Sequence, residues 1–348
     1  MKATKKVIGN LEQCYALGTF RYDGTDHIVA ASETSNPCFT LDLQGSLCDT
    51  IWESPGGVMT VAQVPGQPIL MATQRFYSPN DSAAAKIVYY RRIDGVWQCE
   101  LLCELPFVHR FGVLERAGRY YLIACTLKSA HAFKNDWTCP GRIWVAPFPE
   151  DITQHNAANP LKLTPVLSGL YKNHGFEICR EGTDSFAVIA CENGVYKVVP
   201  PAGPEDDWSC EQLLDSPASD VLYLDFDGDG ERELLVLSPF HGDALTIYKK
   251  LGGRFEAVYR HAKRLPFLHA IWGAEIGGRI YGFIGNRDAD RDLFAIYWDG
   301  TGYTFDMLDQ GAGAANVLHF LADGKDMLLA ANRETDEVAL YTLDAEGI

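Results

Sequence analysis

Leu105-Pro106-Phe107-Val108-His109 returns 160 residues later as Leu265-Pro266-Phe267-Leu268-His269. Upstream of the first copy runs IVYYRRIDGVWQCELL, Ile87 to Leu102, and upstream of the second runs LTIYKKLGGRFEAV, Leu245 to Val258. A third segment of the same kind, LFAIYWDGTGYTFDML from Leu293 to Leu308, follows one unit later. Each reads as a strand, a tight Gly-bearing turn and a second strand, which is a β-hairpin. A recurrent hairpin unit of about fifty residues is the signature of a β-propeller or a related array.

Prolines mark the same period. Pro55, Pro106, Pro217 and Pro266 are spaced by 51, 111 and 49 residues, which is one, two and one repeat lengths. Filling the gaps places blades from near Leu11, Gly57, Phe107, Tyr171, Ala218, Phe267 and Ala314. The expected architecture is all-β: one seven-bladed propeller domain over residues 1–348, built of four-stranded antiparallel sheets. The last unit shows only three strands, so Thr4 to Ile8 is expected to supply its fourth. That pairing closes the ring and removes an exposed edge.

Composition limits the partners. With a formal charge of -16 the chain lacks the basic footprint that nucleic acid or an anionic membrane surface requires. Neither a secretory signal nor an apolar membrane-spanning run is visible, which points to a cytoplasmic protein. Ten cysteines occur without a Cys-x-x-Cys pair, and Cys14, Cys125, Cys179 and Cys191 lie in apolar strands. Free, mostly buried thiols are expected.

Asp225-Phe226-Asp227-Gly228-Asp229-Gly230-Glu231-Arg232-Glu233 is the sharpest chemical motif. Carboxylates at alternating positions, with Gly allowing a tight turn, converge on one point and suit a hard cation with oxygen ligands. An EF-hand does not fit, because the twelfth position is Val236 and the flanks read as strands. A solvated acidic turn, or a divalent ion other than calcium, remains open from the residues alone. The segment DFDGDGERELLVLSPF resembles the calcium-binding repeat of FG-GAP and VCBS-type propellers, over about sixteen residues. That resemblance implies Ca2+ held by Asp225, Asp227, Asp229 and Glu233, with Glu231 adding a backbone oxygen. It also places the loop between the first two strands of a blade, on the face away from the second candidate site.

Aligning the blades puts His109, His174 and His269 at the start of three inner strands, at one end of the central channel. Converging neutral imidazoles suit a transition metal with open positions, or general acid-base work, while the plain alternative is that each caps its own turn. Arg75, Lys128, His241, Arg287 and Arg333 fall in loops expected around the same mouth. They read as binding groups for an anionic small molecule or oligosaccharide, or else as ordinary charge pairs with Glu33 and Glu334. By analogy with propellers that process sugars, the expected function is a sugar-acid or oligosaccharide lyase or isomerase; the alternative is a non-catalytic propeller that binds a glycan or protein. No nucleophile elbow, phosphate loop or dinucleotide fingerprint supports another reaction class.

Overall fold

The computed structural model describes residues 1–34 and 36–345. Their strands form seven four-stranded antiparallel sheets, six of which are built from four consecutive strands. The seventh combines Ala314–Ala322, Lys325–Asn332 and Glu337–Asp344 with the amino-terminal strand Lys2–Asn10. Lys2 pairs with Asp344 and Asn10 with Glu337, so the two ends of the chain close the ring. The expected closing strand is therefore present and longer than Thr4 to Ile8.

The innermost strands of blades one to seven are Cys14–Tyr22, Val61–Gln63, Val108–Arg116, Gly175–Glu181, Asp220–Leu224, Leu268–Ile276 and Ala314–Ala322. Each second strand is covered on both faces by neighbouring blades, which explains apolar runs that do not alternate with polar residues. In Glu233–Ser238, Leu235 and Leu237 pack toward blade six while Leu234 and Val236 pack toward blade four. Among the described residues the core is accordingly seven clusters, one between each pair of adjacent blades.

Inner strands approach one another too closely for side chains at some positions. A Cβ on Gly273 would sit 2.2 Å from Leu224, and one on Gly112 would sit 2.6 Å from Ile178. Several large side chains therefore reach into the channel only where the backbone is re-aimed. The repeated pentapeptide does this: Phe107 and Phe267 both take left-handed backbone, with φ of 64° and 59°. The strand that follows then bulges at the histidine, with register shifting between Val108 and Arg110 and between Leu268 and Ala270. An extra unpaired residue in a ladder turns its side chain out of the pleat, and here it turns into the channel.

All ten cysteines are free thiols, six of them buried. No helix of the described residues is long and apolar enough to cross a membrane.

Candidate functional site at the propeller mouth

The bulge position is occupied once per blade. Tyr15 in blade one and Ala315 in blade seven bulge as His109 and His269 do, and Met59, His174 and Ser219 precede the inner strands of blades two, four and five. Of this ring, Tyr15, Met59, His109, His174 and His269 line a cavity of about 290 Å3, together with His241 and an aromatic wall of Phe76, Phe240 and Phe267.

The three histidines singled out by sequence do converge. Ring centroids of His109 and His174 lie 4.5 Å apart, and those of His174 and His269 5.1 Å apart. His241 joins them from the loop after the second strand of blade five, 5.2 Å from His174 and 5.3 Å from His269. It sits in left-handed backbone (φ 51°), stacked on Phe240 at 3.9 Å. One ring nitrogen each from His174, His241 and His269 lie within 4.8 Å of one another, a spacing that fits a shared ion. His109 stands beside this triangle and faces Tyr15, its Nε2 3.4 Å from the hydroxyl.

Backbone carbonyls from the next blade set the tautomers. His174 Nδ1–H donates to the Ser219 carbonyl at 3.1 Å, and His269 Nδ1–H donates to the Ala315 carbonyl at 2.6 Å. Each ring therefore presents the Nε2 lone pair to the cavity, the arrangement that orients metal-binding imidazoles. Tyr15 donates its hydroxyl to His269 Nε2 at 3.2 Å. His174 Nε2 and His241 Nε2 are buried without a hydrogen-bond partner, while His109 interacts with the His174 backbone of the next blade. A buried unsatisfied polar atom costs about 1–3 kcal/mol, so two in one cavity point to a group that completes them.

Electrostatics keep these rings uncharged. Burial, followed by the neighbouring His241 for His174 and by Arg287 for His269, holds both well below the usual imidazole range. Burial and then His174 do the same for His109. His241 is lowered to about 3 by burial, with Arg287 and Lys172 adding repulsion. Burial pushes Tyr15 up to about 12, so it remains a neutral phenol.

The basic residues expected around the mouth divide. Arg287 and Arg333 line the cavity, but Arg287 pairs with Glu334 at 2.7 Å, and Arg333 is held by Glu33, with Glu334 at 3.0 Å. Lys128 does not border it: the residue is 1 % exposed, its Nζ donates to the Asp136 carbonyl at 2.8 Å and lies 4.0 Å over the Trp137 ring. Its ammonium is thus committed to the long 126–141 connection, whose Asp136 carboxylate accepts from Ala132 and Thr138. Of that connection only Leu127 reaches the cavity. Arg75 is exposed at a left-handed turn (φ 62°) and is not among the cavity-lining residues. Sequence reasoning missed Tyr15 as a site residue, although Cys14-Tyr15-Ala16 stands at the same offset in blade one as Val108-His109-Arg110 in blade three.

The acidic turn lies at the other end of blade five, between Asp220–Leu224 and Glu233–Ser238. Asp225, Asp227 and Asp229 come together as a possible cation-binding group. Asp225 accepts the amides of Gly228, Asp229 and Gly230 at 2.8, 3.1 and 2.9 Å, while buried Glu233 accepts that of Phe226 at 2.7 Å. Glu231 is exposed, and its amide donates to Asp229 at 2.9 Å. A residue distant in sequence, Lys249, brings its ammonium against Asp227, 2.7 Å from Asp229 and 3.2 Å from Glu233. Burial opposes that charge, but the hydrogen bonds to the three carboxylates outweigh it and raise the ammonium pKa.

No family model and no curated protein matches this chain. Solved structures with the same fold include BBS1N in complex with ARL6DN, with TM-score 0.59, 12% identity and coverage of 99% of this chain and 97% of that one. Virginiamycin B lyase from Staphylococcus aureus superposes with TM-score 0.58 at 13% identity, covering 98% of this chain and 100% of the lyase. A streptogramin B lyase structure gives 0.57 at 13% identity, with 98% of each chain covered. At such identities the likeness is one of fold.

Proposed function

We propose that the mouth is a catalytic centre in which His174, His241 and His269 hold a transition metal and Tyr15 and His109 serve proton transfer beside it. The observation that carries this reading is the convergence of three neutral imidazoles, two of them oriented by backbone carbonyls, with the buried Nε2 atoms of His174 and His241 left without partners. A metal there supplies a Lewis acid for a carbonyl or carboxylate oxygen. Tyr15, neutral at physiological pH, is a proton donor to an oxygen or carbanion that develops beside it.

The reaction type we assign is lyase or isomerase chemistry on a sugar acid or comparable small oxygen-rich molecule. Two of the fold neighbours are named as lyases, which supports the class. A cavity of about 290 Å3 matches one sugar ring, so an oligosaccharide would bind by its end. An anionic group would have to draw Arg287 or Arg333 away from Glu334 and Glu33. Phe76, Phe240 and Phe267 supply an apolar wall against which the C–H face of a sugar can pack. A second reading, a propeller that docks a glycan or protein, draws support from BBS1N, whose structure is a complex. At the far end of blade five, we also propose Ca2+ as the cation of the Asp225, Asp227, Asp229 turn, entering by displacement of the Lys249 ammonium.

Elemental analysis of the purified protein, beside the His174, His241, His269 triple alanine variant, tests the main reading. A first-row transition metal near one equivalent in the parent and absent from the variant is the expected result. Metal-free parent protein that also fails to take up Co2+, Ni2+ or Zn2+ would sink it.

A further inference from the structure

The channel has a second chamber, of about 370 Å3, on the far side of the histidine ring. Its polar end is made by the residues one step after the bulge ring: Thr60, Arg110, Asp220 and Asn316. Asp220 is 3 % exposed. Its carboxylate accepts the Val221 amide at 3.1 Å, and among the described residues its one basic neighbour within 4 Å is His174, which is neutral. Arg110 is equally without a counter-ion: its guanidinium donates to the Met59 carbonyl at 2.9 Å and to Asn316 Oδ1 at 3.1 Å, with no carboxylate within 4 Å among the described residues. The Asn316 amide is itself fixed, donating to the Tyr15 carbonyl at 2.8 Å. These ties hold a half-buried cation and a buried anion apart in one chamber, where each feels the other's charge without pairing. Beyond them the wall turns apolar, through Leu17, Phe176 and Leu318, to a half-exposed Trp272 at the rim.

We infer that this chamber binds a small zwitterion, an α-amino acid with an apolar side chain, its ammonium on Asp220 and its carboxylate on Arg110. Such a ligand completes both unpaired charges at once, with bidentate geometry available at the guanidinium. Its side chain then replaces water along the apolar throat.

Calorimetric titration of the full chain with L-leucine tests this, with leucinamide and N-acetylleucine as analogues that each lack one charge. Leucine binds with Kd about tenfold or more below that of either analogue. Asp220→Asn removes the advantage of leucine over N-acetylleucine, and Thr19→Trp, at an exposed position on the rim, blocks binding without touching the core. His269→Ala leaves leucine binding in place. Equal affinity for the capped analogues, no heat from any apolar amino acid up to about 10 mM, or unchanged binding in folded Thr19→Trp each overturns the inference. Loss of binding in His269→Ala overturns it too, because it moves the ligand to the mouth.

Discussion

The acidic turn of blade five and the histidine ring at the opposite face both gather cation-binding groups, but they differ in what the protein supplies to complete them. The turn brings its own counter-charge: Lys249 reaches three carboxylates, and backbone amides bind Asp225 and one oxygen of Glu233. The mouth brings none. Its rings are neutral, and the Nε2 atoms of His174 and His241 are buried without partners. A site with a built-in counter-charge holds together whether or not an ion arrives, while a site of unpartnered ligand atoms gains most of its free energy when something binds. The difference explains why the stronger sequence motif, the run of aspartates, is the weaker candidate for function.

The comparison breaks most sharply under substitution. Replacing His174, His241 and His269 by Ala should lower transition-metal affinity by about three orders of magnitude or more, since each lost imidazole removes a direct ligand. Asp225→Asn with Asp227→Asn should leave that affinity unchanged. Competition with a chromophoric chelator measures both, and parallel losses in the two variants would mean the sites are not independent.

Lys249→Ala leaves three carboxylates facing one another and should destabilise the protein by about 2 kcal/mol, between the values for exposed and buried pairs. Millimolar Ca2+ should then raise the melting temperature of the variant more than that of the parent. Identical calcium responses in chemical denaturation would show that the lysine does not occupy the cation position.

Acid should find the mouth first. His109, His174, His241 and His269 have folded pKa values below the unfolded value of about 6.5. Their contribution is complete above that pH and is lost as pH falls toward the folded values, because only the unfolded chain takes up the protons. Each imidazole contributes a slope of up to about 1.4 kcal/mol per pH unit. Asp220, raised to about 6 by burial, and Glu177, raised to about 7 by the same cause, act in the other sense, since the folded state holds their protons longer. His261, lowered by burial, and Glu233, raised by burial, add one group to each side, and five against three leave a net loss between about pH 6.5 and 5. Lys249, with its folded pKa raised, loses its contribution only as pH rises beyond about 10.5. Melting curves of metal-free protein from pH 7.5 downward should therefore fall, and His241→Gln should flatten them. A parent curve that is level to pH 5 would contradict the buried, neutral state of the rings.

The smallest effect belongs to Tyr15→Phe. Its hydroxyl donates to the His269 nitrogen that a metal would use, so removing it should strengthen metal binding by about two- to threefold while costing about 1 kcal/mol of stability in the metal-free protein. A large drop in affinity would make Tyr15 a ligand in its own right.

Much of the site was legible because a propeller repeats. His109 and His269 were found from the repeated pentapeptide; the same offset in Cys14-Tyr15-Ala16 would have found Tyr15, and the position one step on in Ala218-Ser219-Asp220 would have found Asp220. Lys128 and Arg75 fell in a loop of the right kind, yet loop membership does not fix direction. One turns beneath Trp137 and the other lies outside the cavity.

The sequence by itself determined the ring of blades, its closure by the amino-terminal strand and the level at which the histidines stand. The blades and the histidine level follow from period, turn chemistry and apolar runs, which act between residues near in the chain, and closure follows from the one strand that the last repeat lacks. Only the tertiary structure decided which imidazoles share a centre, which tautomer each adopts and which charges are already paired. His174 is oriented by Ser219, His269 by Ala315, Arg333 by Glu33 and Asp227 by Lys249. Three of those four pairs join different blades, and the fourth joins separate strands of one blade. Such contacts are set by how sheets twist and pack around the axis, and no local pattern of residues encodes them.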